Sequence, residues 1–152
     1  MTHPHDQSGY PPVAELVPHE PPMILVDELV EWSPTQARVR AHVRRGGPFV
    51  SDGRLPATIL LEYMAQAIAV ADGMAGRGNG RRDIGLLLGV RELNLAVDFV
   101  SAGDTLDIHV VQRFLDDKMA SYACEVRRDD QTLASGAVNV MFSPDKLGED
   151  PR

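Results

Sequence analysis

"RLPATILLEYMAQAIAVADGM", Arg54 to Met74, is the stretch on which the fold turns. From Ile59 to Ala71 only Glu62 and Gln66 interrupt an apolar run, so the segment reads as a helix that is apolar on nearly every side. Pro56 suits the first helical position, where its missing N–H costs nothing. The amides that follow, from Ala57 and Thr58, are then expected to be unpaired donors at the positive end of the helix. Thr58, Glu62 and Gln66 recur every four residues and make one narrow polar stripe.

A single apolar helix needs cover on most of its surface, and the rest of the chain reads as strands able to supply it. "PMILVDELVEW" (Pro22 to Trp32) is rich in branched residues between prolines. In "QARVRAHVRR", Ala37, Val39, Ala41 and Val43 alternate with Arg38, Arg40, His42 and Arg44, the pattern of a strand with one buried and one wet face. "LLLGVRELNLAVDFV" (Leu86 to Val100) reads as one long strand with Gly89 at a bulge or close approach. "TLDIHVVQRFL" sets Leu106, Ile108, Val110 and Phe114 on one face. "MASYACEVRR" and "TLASGAVNVMF" complete an antiparallel meander joined by short polar turns. The expectation is an α+β domain over residues 13–143, a curved antiparallel sheet wrapped around one long central helix. Residues 1–12 read as a flexible arm and 144–152 as a tail. An uncovered sheet edge predicts a dimer.

Composition narrows the function classes. A net charge of -7 over 152 residues lacks the basic footprint of a general nucleic-acid binder. The single cysteine, Cys124, cannot form an internal disulfide and reads as a buried, inert thiol. The longest apolar stretch is too short to span a membrane, and no basic region followed by an apolar run opens the chain, so the expected location is cytoplasmic. His3 and His5 make a poor metal site, and no metal-ligand spacing occurs elsewhere.

Glu62 is the residue with chemical promise. A carboxylate held in apolar surroundings is pushed toward its neutral form, which suits general acid or base work. The structural alternative is a Glu62 that binds a backbone amide or an arginine. For Gln66 hydrogen bonding is the simpler account, since an amide does no acid–base chemistry.

Two motifs carry a resemblance. "LVPHEPPMILVDELVEW" resembles the opening motif of the beta-hydroxyacyl-(acyl carrier protein) dehydratases, and "LPATILLEYMAQAIAV" resembles their central-helix motif of Pro, Glu six residues on, then Met-Ala-Gln. "LLLGVRELNLAVDFVSAGDTLDIHV" is similar to the strands that follow. The resemblance runs from about Leu16 to Phe142 and implies a hotdog fold, working as a dimer with its site between subunits. It implies elimination of water from a 3-hydroxyacyl thioester, with Glu62 on the family's carboxylate position. It also implies thioester polarisation near Ala57 and Thr58, the kind of stabilisation that helix amides give. The family's Gly-His-Phe-Pro segment is replaced by "PFVSDGRLPAT", which has no histidine. In this the chain most resembles a divergent branch that includes proteins encoded with aryl-polyene biosynthesis genes.

The expected catalytic residues are therefore Glu62 and, as the nearest substitute for the lost histidine, His19. The family also has a histidine at the His19 position besides its catalytic one, which supports a structural reading of it. Asp52 before Gly53 reads first as a turn. Ala57, Thr58, Gln66 and Gly89 are the expected substrate-binding positions, with Gln66 orienting Glu62 or the substrate. No bound cofactor is expected, because the substrate comes on the phosphopantetheine of acyl carrier protein. Arg77, Arg81 and Arg82 form a basic cluster suited to docking that acidic partner. The expected assembly is a homodimer or an oligomer of dimers, or a heterodimer with another hotdog protein. An accessory subunit without catalysis, or a thioesterase on the same fold, would fit the same motifs.

Overall fold

The computed structural model describes residues 9–76 and 84–142, with backbone only at 84–88. Among them, strands β1 (Glu28–Ser33), β2 (Gln36–His42), β4 (Ile84–Leu95), β6 (Thr105–Leu115), β7 (Met119–Arg128) and β8 (Gln131–Phe142) form one antiparallel sheet. Its order is β1-β2-β6-β7-β8-β4, with β3 (Arg54–Pro56) and β5 (Phe99–Ser101) paired separately. Helix α1 (Leu60–Ala75) lies over β2, β6 and β7. This is the hotdog arrangement, a long helix held by a curved antiparallel sheet.

The core follows from two periods. Ala37, Val39 and Ala41 on β2 and Leu106, Ile108 and Val110 on β6 are buried, and they meet Leu60, Met64, Ala67, Ile68 and Val70 of α1. Burying each of the larger aliphatic side chains is worth about 1.5–3 kcal/mol. The outer face of the same strands carries Arg38, Arg40, Asp107 and His109, where Arg40 bridges Glu28 and Asp107 at 3.4 Å to each.

Four sequence expectations are corrected. The helix does not begin at Pro56: φ -58 and ψ 138 leave that residue extended, Arg54–Pro56 pairs with β5, and Ala57–Ile59 forms a 3₁₀ turn before α1. The strand read at Pro22 begins only at Glu28, because the Leu25 amide is taken by a side chain of α1 rather than by a strand neighbour. The run Leu86 to Val100 is cut into β4 and β5, with register shifts at Leu87/Gly89 and Arg91/Asn94. Phe114 is 49% exposed rather than buried, since one extra residue between Gln112 and Phe114 flips the alternation of β6 against β7.

Two further features position the site. The opening segment is tied to the fold: Tyr10, inside the stretch read as an arm, accepts a hydrogen bond on its hydroxyl from the Trp32 amide at 3.2 Å. Gly73 lets the 3₁₀ turn at Val13–Glu15 and the adjoining Leu16 lie directly on α1, for a Cβ at Gly73 would overlap the Leu16 carbonyl. None of the described helices is long and apolar enough to cross a membrane.

Candidate functional site

Glu62 stands in the first turn of α1, where the helix dipole favours a carboxylate. Gln66 is one turn on and fully buried, and it explains why this apolar helix carries an amide. Its Oε1 accepts from the Leu25 amide at 2.8 Å, and its Nε2 donates to the Met23 carbonyl at 2.8 Å and to Glu62 Oε2 at 3.0 Å. The Leu25 donor dictates which way the amide faces. Both amide hydrogens are used and none of the side chain is exposed. Gln66 is a positioning residue that staples the Met23–Leu25 segment to the helix and holds one oxygen of Glu62.

That staple fixes the segment carrying His19. The imidazole Nε2 lies 3.4 Å from Glu62 Oε2, with the two side chains 27% and 37% exposed. His19 Nδ1 is buried and has no hydrogen-bond partner. A carboxylate and an imidazole thus meet from positions 43 residues apart, on the same chain. Glu62 is not wrapped in apolar surroundings as its neighbours in sequence suggested. It is half-exposed, with an amide donor on one side and an imidazole on the other.

The other expected residues divide. The Ala57 amide is not free, since it donates to the Asp98 carbonyl at 3.0 Å as β3 and β5 pair. Thr58 is exposed in the 3₁₀ turn just before α1. Gly89 sits on the edge strand β4 opposite Asn139, with open space where a side chain would stand. Arg77, Arg81 and Arg82 lie outside the described residues, as do His3 and His5. Where the resemblance expects a histidine, Ser51 and Arg54 exchange backbone hydrogen bonds at 2.9 and 3.0 Å. Asp52 and Gly53 take φ 55 and 75 between them, a two-residue hairpin. The Arg54 guanidinium stacks over Phe99, 4.3 Å from the ring centroid.

Two buried groups are set apart from this chemistry. Burial pushes the Cys124 thiol up to about 12. Tyr63 is also raised to about 12, by burial first and by the nearby Asp27 charge second. The sequence reading missed the roles of Met23, Leu25 and Gly73. The first two contribute only backbone atoms to the staple, and a glycine near a helix end carries no sign of what packs on it.

Residues 11–150 match the ApeP-like family, described as ApeP dehydratase. The chain belongs to the ApeP-like dehydratase family. A solved structure, the dehydratase heterocomplex ApeI:P from Xenorhabdus doucetiae, is similar at 30% identity and a TM-score of 0.84, covering 94% of this chain and 99% of that one. The PaaI protein from the phenylacetic acid degradation operon of E. coli is similar at 16% identity and a TM-score of 0.58, over 74% of this chain and 80% of that one. Smu.793 from Streptococcus mutans, solved with acetyl CoA, gives 13%, 0.64, 84% and 95%. The last two likenesses show the hotdog fold alone. Among the curated proteins no sequence matches the chain.

Proposed function

We propose that this protein is the ApeP-type member of a two-protein hotdog dehydratase, removing water from 3-hydroxyacyl chains carried on acyl carrier protein in aryl-polyene biosynthesis. The observation that supports it is the Glu62–His19 pair, 3.4 Å apart with Gln66 holding the carboxylate. One member of the pair takes the α-proton of the substrate and the other gives a proton to the departing β-hydroxyl, which leaves as water; a proton passed back across the pair then resets it. Thr58 and the first amides of α1 are the candidates for polarising the thioester carbonyl. A heterodimer with an ApeI-type hotdog protein is the assembly we infer, from the likeness to the Xenorhabdus complex.

A second reading has its own support. The segment that should bear the family histidine is a closed two-residue hairpin, which favours an accessory subunit that serves an active partner. One experiment separates the two. The protein is incubated alone, and then with an ApeI-type partner, on a 3-hydroxyacyl-carrier substrate, and the products are read by intact mass. On the dehydratase reading, Glu62→Gln and His19→Ala each lower enoyl formation by about 10²–10⁴. Full turnover by Glu62→Gln in the complex would overturn it in favour of the accessory role. Release of free acid would mean hydrolysis instead.

A further inference from the structure

Beside the Glu62–His19 pair the backbone of Met23 is held from both sides. Its amide donates to the Glu20 carbonyl at 2.8 Å and closes a tight turn, and its carbonyl accepts from Gln66 Nε2 at 2.8 Å. The same Nε2 donates to Glu62 Oε2 at 3.0 Å, so the Met23 carbonyl and the carboxylate lie within about 6 Å of one another. Both main-chain groups of Met23 are therefore used, and its place next to Glu62 is set before any substrate arrives.

The side chain is treated differently. Met23 is 40% exposed, whereas Leu25 and Val26 just after it are buried in the core. A single exposed apolar residue needs no explanation by itself. What sets Met23 apart is that its backbone shares a hydrogen-bond donor with the carboxylate of the candidate site. Order along α1 gives it a direction as well. Thr58 stands one turn before Glu62 and Gln66 one turn after, with Met23 bonded to Gln66. A thioester whose carbonyl meets Thr58 and whose reacting carbons meet Glu62 sends the rest of its chain toward Met23. Gln66 is fully buried, so Met23 is the surface the chain finds there.

We propose that Met23 is a specificity-determining residue that touches the acyl chain just beyond the carbons that react and favours a chain bearing π electrons. This rests on dehydration at Glu62 and names the part of the substrate that the acid–base pair does not read. Methionine has three rotatable bonds and a polarisable sulfur that makes favourable contacts with aromatic rings. A saturated chain of the same shape gains the apolar contact without the sulfur contribution. Leucine at this position keeps the apolar bulk and loses the sulfur.

The test uses the full-length protein in its two-protein assembly and S-pantetheine thioesters of one shape. 5-Phenylpentanoyl and 5-cyclohexylpentanoyl thioesters lack the hydroxyl and report binding alone, by calorimetry. Their 3-hydroxy forms report KM and kcat for enoyl formation. The wild type should bind the phenyl compound about two- to tenfold more tightly than the cyclohexyl one. Met23→Leu should erase that preference, with the change carried by KM more than by kcat. Met23→Ala should weaken both compounds by about tenfold. The stated binding pattern without any enoyl product would strike dehydration and leave the Met23 contact standing. Equal binding of the two compounds by the wild type, a preference kept by Met23→Leu, or a loss confined to kcat would overturn the proposal, whatever Glu62→Gln does to turnover.

Discussion

Replacing Gln66 with glutamate tests the staple with almost no change of shape. One oxygen of the new carboxyl can still accept from Leu25. The other takes the place of a nitrogen that now donates to two acceptors, the Met23 carbonyl at 2.8 Å and Glu62 Oε2 at 3.0 Å. Two unit charges about 3 Å apart repel by roughly 5 kcal/mol at an effective dielectric of about 20. The new group is therefore held protonated in the folded protein far above its pKa of about 4.3 in the unfolded chain. The sign follows from linkage. A carboxyl whose folded pKa is raised leaves stability intact below its unfolded pKa, and stability is lost as pH rises toward the folded value. The single O–H of a protonated carboxyl serves only one of the two acceptors, so Gln66→Glu should lie about 1–3 kcal/mol below wild type near pH 4.5; at about 1.4 kcal/mol per pH unit it should fall roughly 3 kcal/mol further by pH 7. Solvent at the half-exposed Glu62 trims the figure at pH 7. Urea unfolding of both proteins from pH 4.5 to 7.5 measures the difference. Gln66→Leu is the control: it lacks the titration, so its deficit should not grow with pH. A gap between Gln66→Glu and wild type that is flat with pH would refute the staple as described.

Three other outcomes follow from the same coordinates. Gly73→Ala drives a methyl group into the Leu16 carbonyl and should cost about 1–3 kcal/mol in urea unfolding; because Leu16 leads to His19, enoyl formation should fall with it. Cys124 should resist a thiol reagent at pH 8 and react only on unfolding, and stability should drop as pH rises from about 9 to about 12, where the unfolded thiol ionises before the folded one. Arg40→Met removes a bridge between Glu28 and Asp107 on the outer sheet face, and the midpoint of urea unfolding should move by less than about 1 kcal/mol in equivalent stability.

What the sequence by itself determined is whatever depends on local period. Ala37, Val39 and Ala41 alternate with arginines and a histidine, so the buried face of β2 was legible without coordinates. The apolar run from Ile59 to Ala71, interrupted only by Glu62 and Gln66, specified a helix that had to be surrounded, and the turn at Asp52-Gly53 declared itself by residue type. Glu62 and Gln66 stood out because an apolar helix has no local use for either. Where a single added residue resets the period, as before Phe114, the reading failed, since nothing in composition marks a bulge.

Only the tertiary structure decided what Glu62 and Gln66 touch. His19 lies 43 positions before Glu62 and meets it because Gly73 seats the opening turn on α1 and Gln66 holds the backbone at Met23 and Leu25. The Ala57 amide was lost as a free donor to Asp98, another partner distant in sequence. Asp72 and Gln112 likewise line one cavity only once β6 lies beside the end of the helix. The physical reason is common to all of these. Periodicity records which side of an element is dry, whereas hydrogen bonds and ion pairs act over a few ångströms and depend on which elements come to lie side by side.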